Sequence, residues 1–178
     1  LTEMRAKLEA NQVSVSRNYI GGPTVRADAD KLRQVFTNVI DNSIDAMESN
    51  AGERRLEFGI VNLHPGTASV VIRDNGCGIA EDKLAKIFNP FYTTKKNGTG
   101  LGMGIAKKVM DAHSGRIEVQ SKPGTGTEFR LSIPLADAAR AQNQAAQPEA
   151  GFNHASPADA GHAPADPNPQ LAEAGERR

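Results

Sequence analysis

The chain has 178 residues, 38% of them hydrophobic, and 21 Lys and Arg balance 21 Asp and Glu; this fits one medium domain with a real core and gives no ground for a nucleic acid or a membrane surface as partner. Its single cysteine, Cys77, excludes an internal disulfide and fits a reducing compartment. No apolar run approaches the ~18 residues needed to cross a bilayer, and no signal peptide opens the chain. A chain opening on Leu1 rather than methionine is expected to be a cytoplasmic piece of a longer protein, whose parent could still be anchored in the inner membrane.

In chain order, the pattern predicts a helix over 1–10, an alternating strand over 13–19 and a short strand over 24–27. Asp28 or Asp30 can cap the next helix, which carries Leu32, Val35, Phe36, Val39, Ile40 and Ile44 on one stripe and runs to about Glu48. Strands over 56–63 and 68–73 flank His64-Pro65-Gly66, which has turn composition. A short helix is expected over 81–87, then a polar loop and a glycine run. The helix after that run ends at His113-Ser114-Gly115, with Gly115 expected at the C′ position. Strands over 116–120 and 127–133 close as a hairpin around Lys122-Pro123-Gly124. The fold class is therefore α/β, a mixed sheet covered on one face by helices. Residues 1–135 form this domain. In 136–178 only Phe152 and Leu171 are large and apolar, and five prolines intervene, so this tail is expected to be disordered.

The run Asn97-Gly98-Thr99-Gly100-Leu101-Gly102-Met103-Gly104 carries the strongest chemical signal. Glycine at every second position lets a backbone approach a phosphate closely. The run feeds a helix whose open N–H groups and positive dipole end favour an anion. Spacing excludes both G-x-G-x-x-G and the P-loop pattern. A flexible linker is the bland alternative, but Leu, Met and Ile between glycines are not linker composition.

Three other elements matter. Asn38 and Asn42, four residues apart, share one helix face beside the apolar stripe. Their carboxamide oxygens suit Mg²⁺ held mainly by phosphates, or they simply bond to nearby backbone. Asp74-Asn75-Gly76-Cys77-Gly78-Ile79 follows a strand end. Ionised Asp74 accepts and cannot donate, which favours a 6-amino purine over a 6-oxo one; an ordinary Asp-Asn-Gly turn is the alternative. Thr127, in Gly124-Thr125-Gly126-Thr127, could supply a hydroxyl beside a purine, though alone this segment is only a weak turn signal. Cys77, without a second Cys or clustered His, is a bystander.

Together, Asn-x-x-x-Asn, Asp-x-Gly-x-Gly, Ile-Phe-x-Pro-Phe, Gly-x-Gly-x-Gly and Gly-Thr-x-Phe, in that order, resemble the ATP-binding domain of sensor histidine kinases. The stretch Phe88-Asn89-Pro90-Phe91-Tyr92-Thr93-Thr94-Lys95 looks most like the nitrogen-regulation type. The wider superfamily includes DNA gyrase, a heat-shock chaperone family and the MutL repair proteins. The resemblance spans about 24–134 and implies a two-layer sandwich of mostly antiparallel sheet and helices, the Bergerat ATP-binding fold. It implies that Asn42, with Asn38, holds Mg²⁺ against the triphosphate of ATP (or ADP), with Asp45 on the same helix contributing to the nucleotide site. Asp74 would bind the adenine amino group directly and through a water shared with Thr127. Gly76, Gly78 and Ile79 would let the nucleotide approach. Residues 88–96 would form a mobile lid carrying Lys95 to the γ-phosphate, and Gly98, Thr99, Gly100, Leu101, Gly102, Met103 and Gly104 would wrap the phosphates.

Superfamily members that hydrolyse ATP resemble one another in carrying glutamate at position 38, where it activates water. Asn38 cannot act as that base, so ATP would be held for another nucleophile, and Asn38, Asn42 and Lys95 would serve the transfer. In sensor kinases that nucleophile is a histidine on a separate helical dimerisation domain, which passes the phosphoryl group to a response regulator. None of His64, His113, His154 and His162 has the acceptor's sequence context. The acceptor domain is therefore expected to lie elsewhere in the parent, with residues 1–10 a candidate remnant of the connecting helix. The isolated domain is expected to be a monomer and the parent a homodimer. An anti-sigma type serine kinase and a nucleotide-binding module without transfer are the alternatives.

Overall fold

Five strands lie side by side in the order β1-β2-β3-β5-β4. The computed structural model describes residues 4–19, 22–61, 66–95 and 98–136, all within one unit, Leu1–Gln147. The expectations for the tail from 137 on, for His64 and for Asn97 fall outside these residues. The elements are α1 (Arg5–Ala10), β1 (Val13–Asn18), α2 (Ala29–Ala46), β2 (Arg54–Val61), β3 (Thr67–Asp74), α3 (Glu81–Leu84), α4 (Gly102–Ala112), β4 (Arg116–Lys122) and β5 (Gly126–Pro134). Only β1 and β2 pair in parallel, with α2 between them in the chain; the other pairs are antiparallel. This is the mixed sheet that the sequence pattern predicts, mostly antiparallel as the family resemblance implies.

Period-2 alternation decides which face is covered. Phe58, Ile72, Phe129 and Val119 stand in one cross-strand row. They join Val35, Val39, Ile40 and Ile44 of α2 and Met103, Ala106 and Met110 of α4 in the core. The opposite face carries Glu57, Arg73, Glu128 and Arg130, which pair among themselves. A shallow hollow on that face is lined partly by these same charges, and it lies away from the residues developed below.

The stripe along α2 buries Val35, Val39, Ile40 and Ile44. Of the two possible caps the structure uses Asp28, whose Oδ1 accepts from the Asp30 and Lys31 N–H groups at 2.9 and 3.0 Å. His113 ties the end of α4 to this cap. Its Nε2 accepts from the Asp28 N–H at 3.0 Å, so Nδ1 carries the proton and donates to the Val109 carbonyl at 2.8 Å. α1 is part of the same packing: Leu8 is in the core, and Lys7 Nζ stands 2.7 Å from Asp41 Oδ1 on α2.

Three local expectations are corrected. Residues 24–27 form no strand, only an isolated bridge between Val25 and Leu135, because Gly22-Pro23 just before gives little to extend a ladder. The helix expected over 81–87 stops at Leu84 and continues as turns. The left-handed residue after α4 is Ser114 (φ 52°), not Gly115. The Ser114 and Gly115 N–H groups return to Asp111 and Met110 at 3.0 and 2.9 Å, a Schellman closure with Gly115 one place later. Gly115 is needed for space: a Cβ there would meet the Ser132 carbonyl oxygen at 2.7 Å.

Candidate functional site

The row beyond Phe58, Ile72, Phe129 and Val119 on the covered face is Leu56, Asp74, Thr127 and Ser121. The alternation that builds the core thus sets a carboxyl group at its rim. Asp74 is 4% exposed. Its Oδ1 accepts from the Gly76 N–H at 2.9 Å and the Thr127 N–H at 3.2 Å. Burial pushes the Asp74 pKa above the ordinary value, and the Gly76 N–H, the Ser43 hydroxyl and the Thr127 N–H pull it back in part. The Ser43 hydroxyl is buried with no partner in full hydrogen-bonding geometry, so its influence on the carboxyl is one of proximity. Two backbone donors on one oxygen leave the lone pairs of the other for a ligand.

The glycines beside Asp74 hold chain against chain. A Cβ at Gly76 would meet Ala46 of α2 at 2.7 Å, and one at Gly78 (φ 70°) would meet the Lys122 carbonyl oxygen at 2.2 Å. Their close approach in this structure is to α2 and to the β4–β5 turn. The Cys77 N–H donates to Ala46 O and the Gly124 N–H to Cys77 O, at 2.9 and 2.8 Å; the thiol itself is exposed. The Ile79 N–H donates to Ser121 Oγ at 2.8 Å, and that oxygen lies 2.9 Å from Thr127 Oγ1. Ser121 and Ser43 escape sequence reasoning, because a lone serine in a strand or helix carries no spacing signature.

The asparagine face of α2 and the glycine run meet as expected, with partners of their own. Asn38 Nδ2 donates to Gly102 O at 2.9 Å, pinning the start of α4 to α2. Lys95 Nζ donates to Asn42 Oδ1 at 2.6 Å and to Asp45 Oδ2 at 2.5 Å. Gly100 (φ 65°) leaves no room for a Cβ against the Phe91 backbone, 2.4 Å away, while Phe91 is itself left-handed (φ 67°) and 76% exposed. Gly98 fits against Thr93 Oγ1, and the Leu101 N–H reaches Thr99 Oγ1 at 3.4 Å. Met103 is buried in the core, which leaves its backbone for a ligand. Ile105 is the first α4 amide bonded back into the helix, to Leu101 O at 2.9 Å. The N–H groups of Gly102, Met103 and Gly104 thus form the open end of the helix.

Asn42 and Asp45 converge on one cation, the Lys95 ammonium. No cluster of three His, Cys, Asp or Glu among the described residues could hold a metal, so a metal here must draw further ligands from phosphates and water. The Lys95 pair is half exposed and is worth about 0.2–1 kcal/mol. Lys95→Ala is therefore expected to speed chymotryptic cleavage after Phe91 and Tyr92 by about two- to fivefold. The melting temperature should hardly move. Unchanged cleavage would mean that the lysine does not restrain this loop.

The model of the histidine kinase-, DNA gyrase B-, and HSP90-like ATPase family matches residues 27–137. The chain belongs to this family. Sporulation kinase E of Bacillus subtilis is 35% identical over 113 residues, which is 64% of this chain and 15% of that kinase. The chain thus spans about a seventh of that curated relative's length. Among solved structures, the catalytic domain of the histidine kinase ThkA superposes with a TM-score of 0.65 at 28% identity, covering 75% of this chain and 86% of that one. Full-length ShkA in complex with AMPPNP also gives a TM-score of 0.65, at 26% identity, covering 76% of this chain and 28% of that one. Among the described residues of this ATPase-family domain, no helix is long and apolar enough to cross a membrane.

Proposed function

We propose that this domain binds ATP and presents its γ-phosphoryl group to a histidine on another domain of the parent kinase. The observation that carries the reading is Asp74, a buried carboxylate at the rim of the apolar core, held by two backbone N–H groups and in one cross-strand row with Leu56, Thr127 and Ser121. Such a group selects a ligand that donates from an apolar ring, as adenine does. That ShkA, similar in fold, was solved with AMPPNP supports nucleotide binding by a domain of this kind. The open amides of Gly102, Met103 and Gly104 face the demand of the phosphates for N–H donors, and Lys95 supplies a movable positive charge.

Mg²⁺ fits the donor set, since Asn42 and Asp45 already gather one cation between them. Asn42, with Asn38, would hold it, and it would supply charge that neutralises the phosphates. Asn38 carries no base and its amide is engaged with Gly102, so water is not activated from that position. The incoming imidazole nitrogen forms the bond to the γ-phosphorus as the bond to the bridging oxygen breaks. ADP leaves, and the imidazole proton passes to solvent. The acceptor is a helical dimerisation domain, and a response regulator receives the group next. The domain, residues 1–135, is a monomer on its own, and the parent kinase is a homodimer whose catalytic domains lie in the cytoplasm.

Calorimetry should register ATP–Mg²⁺ binding without sustained phosphate release. With an acceptor-domain dimer and γ-labelled ATP, the label should transfer to a product that is acid-labile and base-stable, as phosphohistidine is. Rapid multiple turnover alone would contradict the proposal. Acid-stable label would move the reading to a serine kinase.

A further inference from the structure

We infer that Ser121 is a positioning residue for base recognition: it fixes the Thr127 hydroxyl as an acceptor, so that Thr127 and ionised Asp74 both offer lone pairs to the base. The inference rests on the ATP reading above and names a determinant of its selectivity. Ser121 on β4 is in register with Thr127 on β5, which is in register with Asp74 on β3. Its Oγ has three polar neighbours: the Ile79 N–H at 2.8 Å, the Gly126 carbonyl oxygen at 2.8 Å and Thr127 Oγ1 at 2.9 Å.

A proton count assigns the directions. Ile79 N–H can only donate and Gly126 O can only accept, so the one hydroxyl hydrogen of Ser121 goes to Gly126. The contact with Thr127 then has one arrangement left, in which Thr127 donates. Thr127 has thereby committed its only hydrogen and presents lone pairs. Asp74, when ionised, presents lone pairs as well. A ring with a donor at C6 finds acceptors there, whereas a ring with a carbonyl at C6 brings lone pairs against lone pairs. Ser121 also anchors Ile79, so the same hydroxyl ties the Asp74 loop to the hairpin.

The test compares ATP with inosine triphosphate, its 6-oxo counterpart, by calorimetry on the full chain. In Ser121→Ala the Thr127 hydroxyl loses its acceptor and becomes free to donate, so the ATP-to-ITP affinity ratio should fall about tenfold, the worth of one hydrogen bond. Ser121→Thr keeps a hydroxyl and should restore the ratio. Thr127→Val should lower the ratio, and adding Ser121→Ala to it should lower it no further. Should Ser121→Ala fail to fold, Ser121→Cys, a weaker acceptor of similar size, should shift the ratio the same way. Equal losses for both nucleotides, or a further fall in the double variant, would overturn the inference and leave ATP binding standing. Wild-type chain that binds both nucleotides equally would do the same. Wild-type chain that binds neither would remove this inference and the ATP reading together.

Discussion

Asp74→Asn is expected to weaken adenine-nucleotide binding about 100-fold, near 3 kcal/mol, while the domain stays folded. The asparagine oxygen can take over both backbone donors, Gly76 N–H and Thr127 N–H, which now converge on Oδ1. Its Nδ2 then stands where the second carboxylate oxygen stood, a donor facing the donor of the base. The sign of the stability change follows from burial. The folded Asp74 pKa is raised, so its contribution to stability is present below the ordinary carboxylate value of about 4 and is lost as pH rises through the folded value. Asparagine carries no such loss. The variant should melt at or above the wild-type temperature at neutral pH, and that advantage should disappear toward pH ~4. Calorimetry and a melting series across pH measure both halves. Unchanged nucleotide affinity would take Asp74 out of the binding site.

Gly126→Ala is expected to destabilise the domain by about 3 kcal/mol or more and to abolish nucleotide binding with it. At Gly126 φ is 128°, and a Cβ would lie 2.0 Å from the Asp74 carbonyl oxygen. No rotamer relieves this, because the obstacle is backbone. The start of β5 would have to move away from β3 at the place where the Thr127 N–H reaches Asp74. Gly124→Ala is the matched control. Its φ of 75° is left-handed too, but nothing lies within 4 Å of the added Cβ. It should cost only the left-handed strain of about 1–2 kcal/mol and leave binding intact. Urea denaturation of the pair reads the difference. Equal midpoints would mean that the contact with Asp74 imposes no constraint.

Long periodic elements were legible from sequence because their burial follows from spacing. The α2 stripe and the alternation of β3 and β5 needed no partner to be recognised. The parallel pairing of β1 with β2 has no local signature, since alternation is blind to the neighbour's direction. Gly115 shows a subtler miss: glycine after a helix suggests a left-handed residue, yet Ser114 takes that conformation and Gly115 yields space to Ser132. Gly76 and Gly78 show the same ambiguity, because a residue without a Cβ looks identical whether a ligand or the protein's own backbone approaches it. Spacing picks out the order of Asn38, Asn42, Asp74 and Thr127 along the chain. It does not reveal which of them already hold partners, such as Asn38 on Gly102 and Lys95 on Asn42 and Asp45.

That last contact has an energetic consequence for how a ligand enters. A half-exposed ammonium–carboxylate pair of at most about 1 kcal/mol corresponds to a closed-to-open ratio of at most about five. At least about one molecule in six would then have the tether released at any instant, before any ligand arrives. On the ATP reading proposed above, an entering anion would meet a loop that already samples both arrangements, and the lysine it displaced from Asp45 would become available as its own counter-charge. Entry would then be an exchange of ionic partners rather than the creation of a new one, with little electrostatic work between the two states.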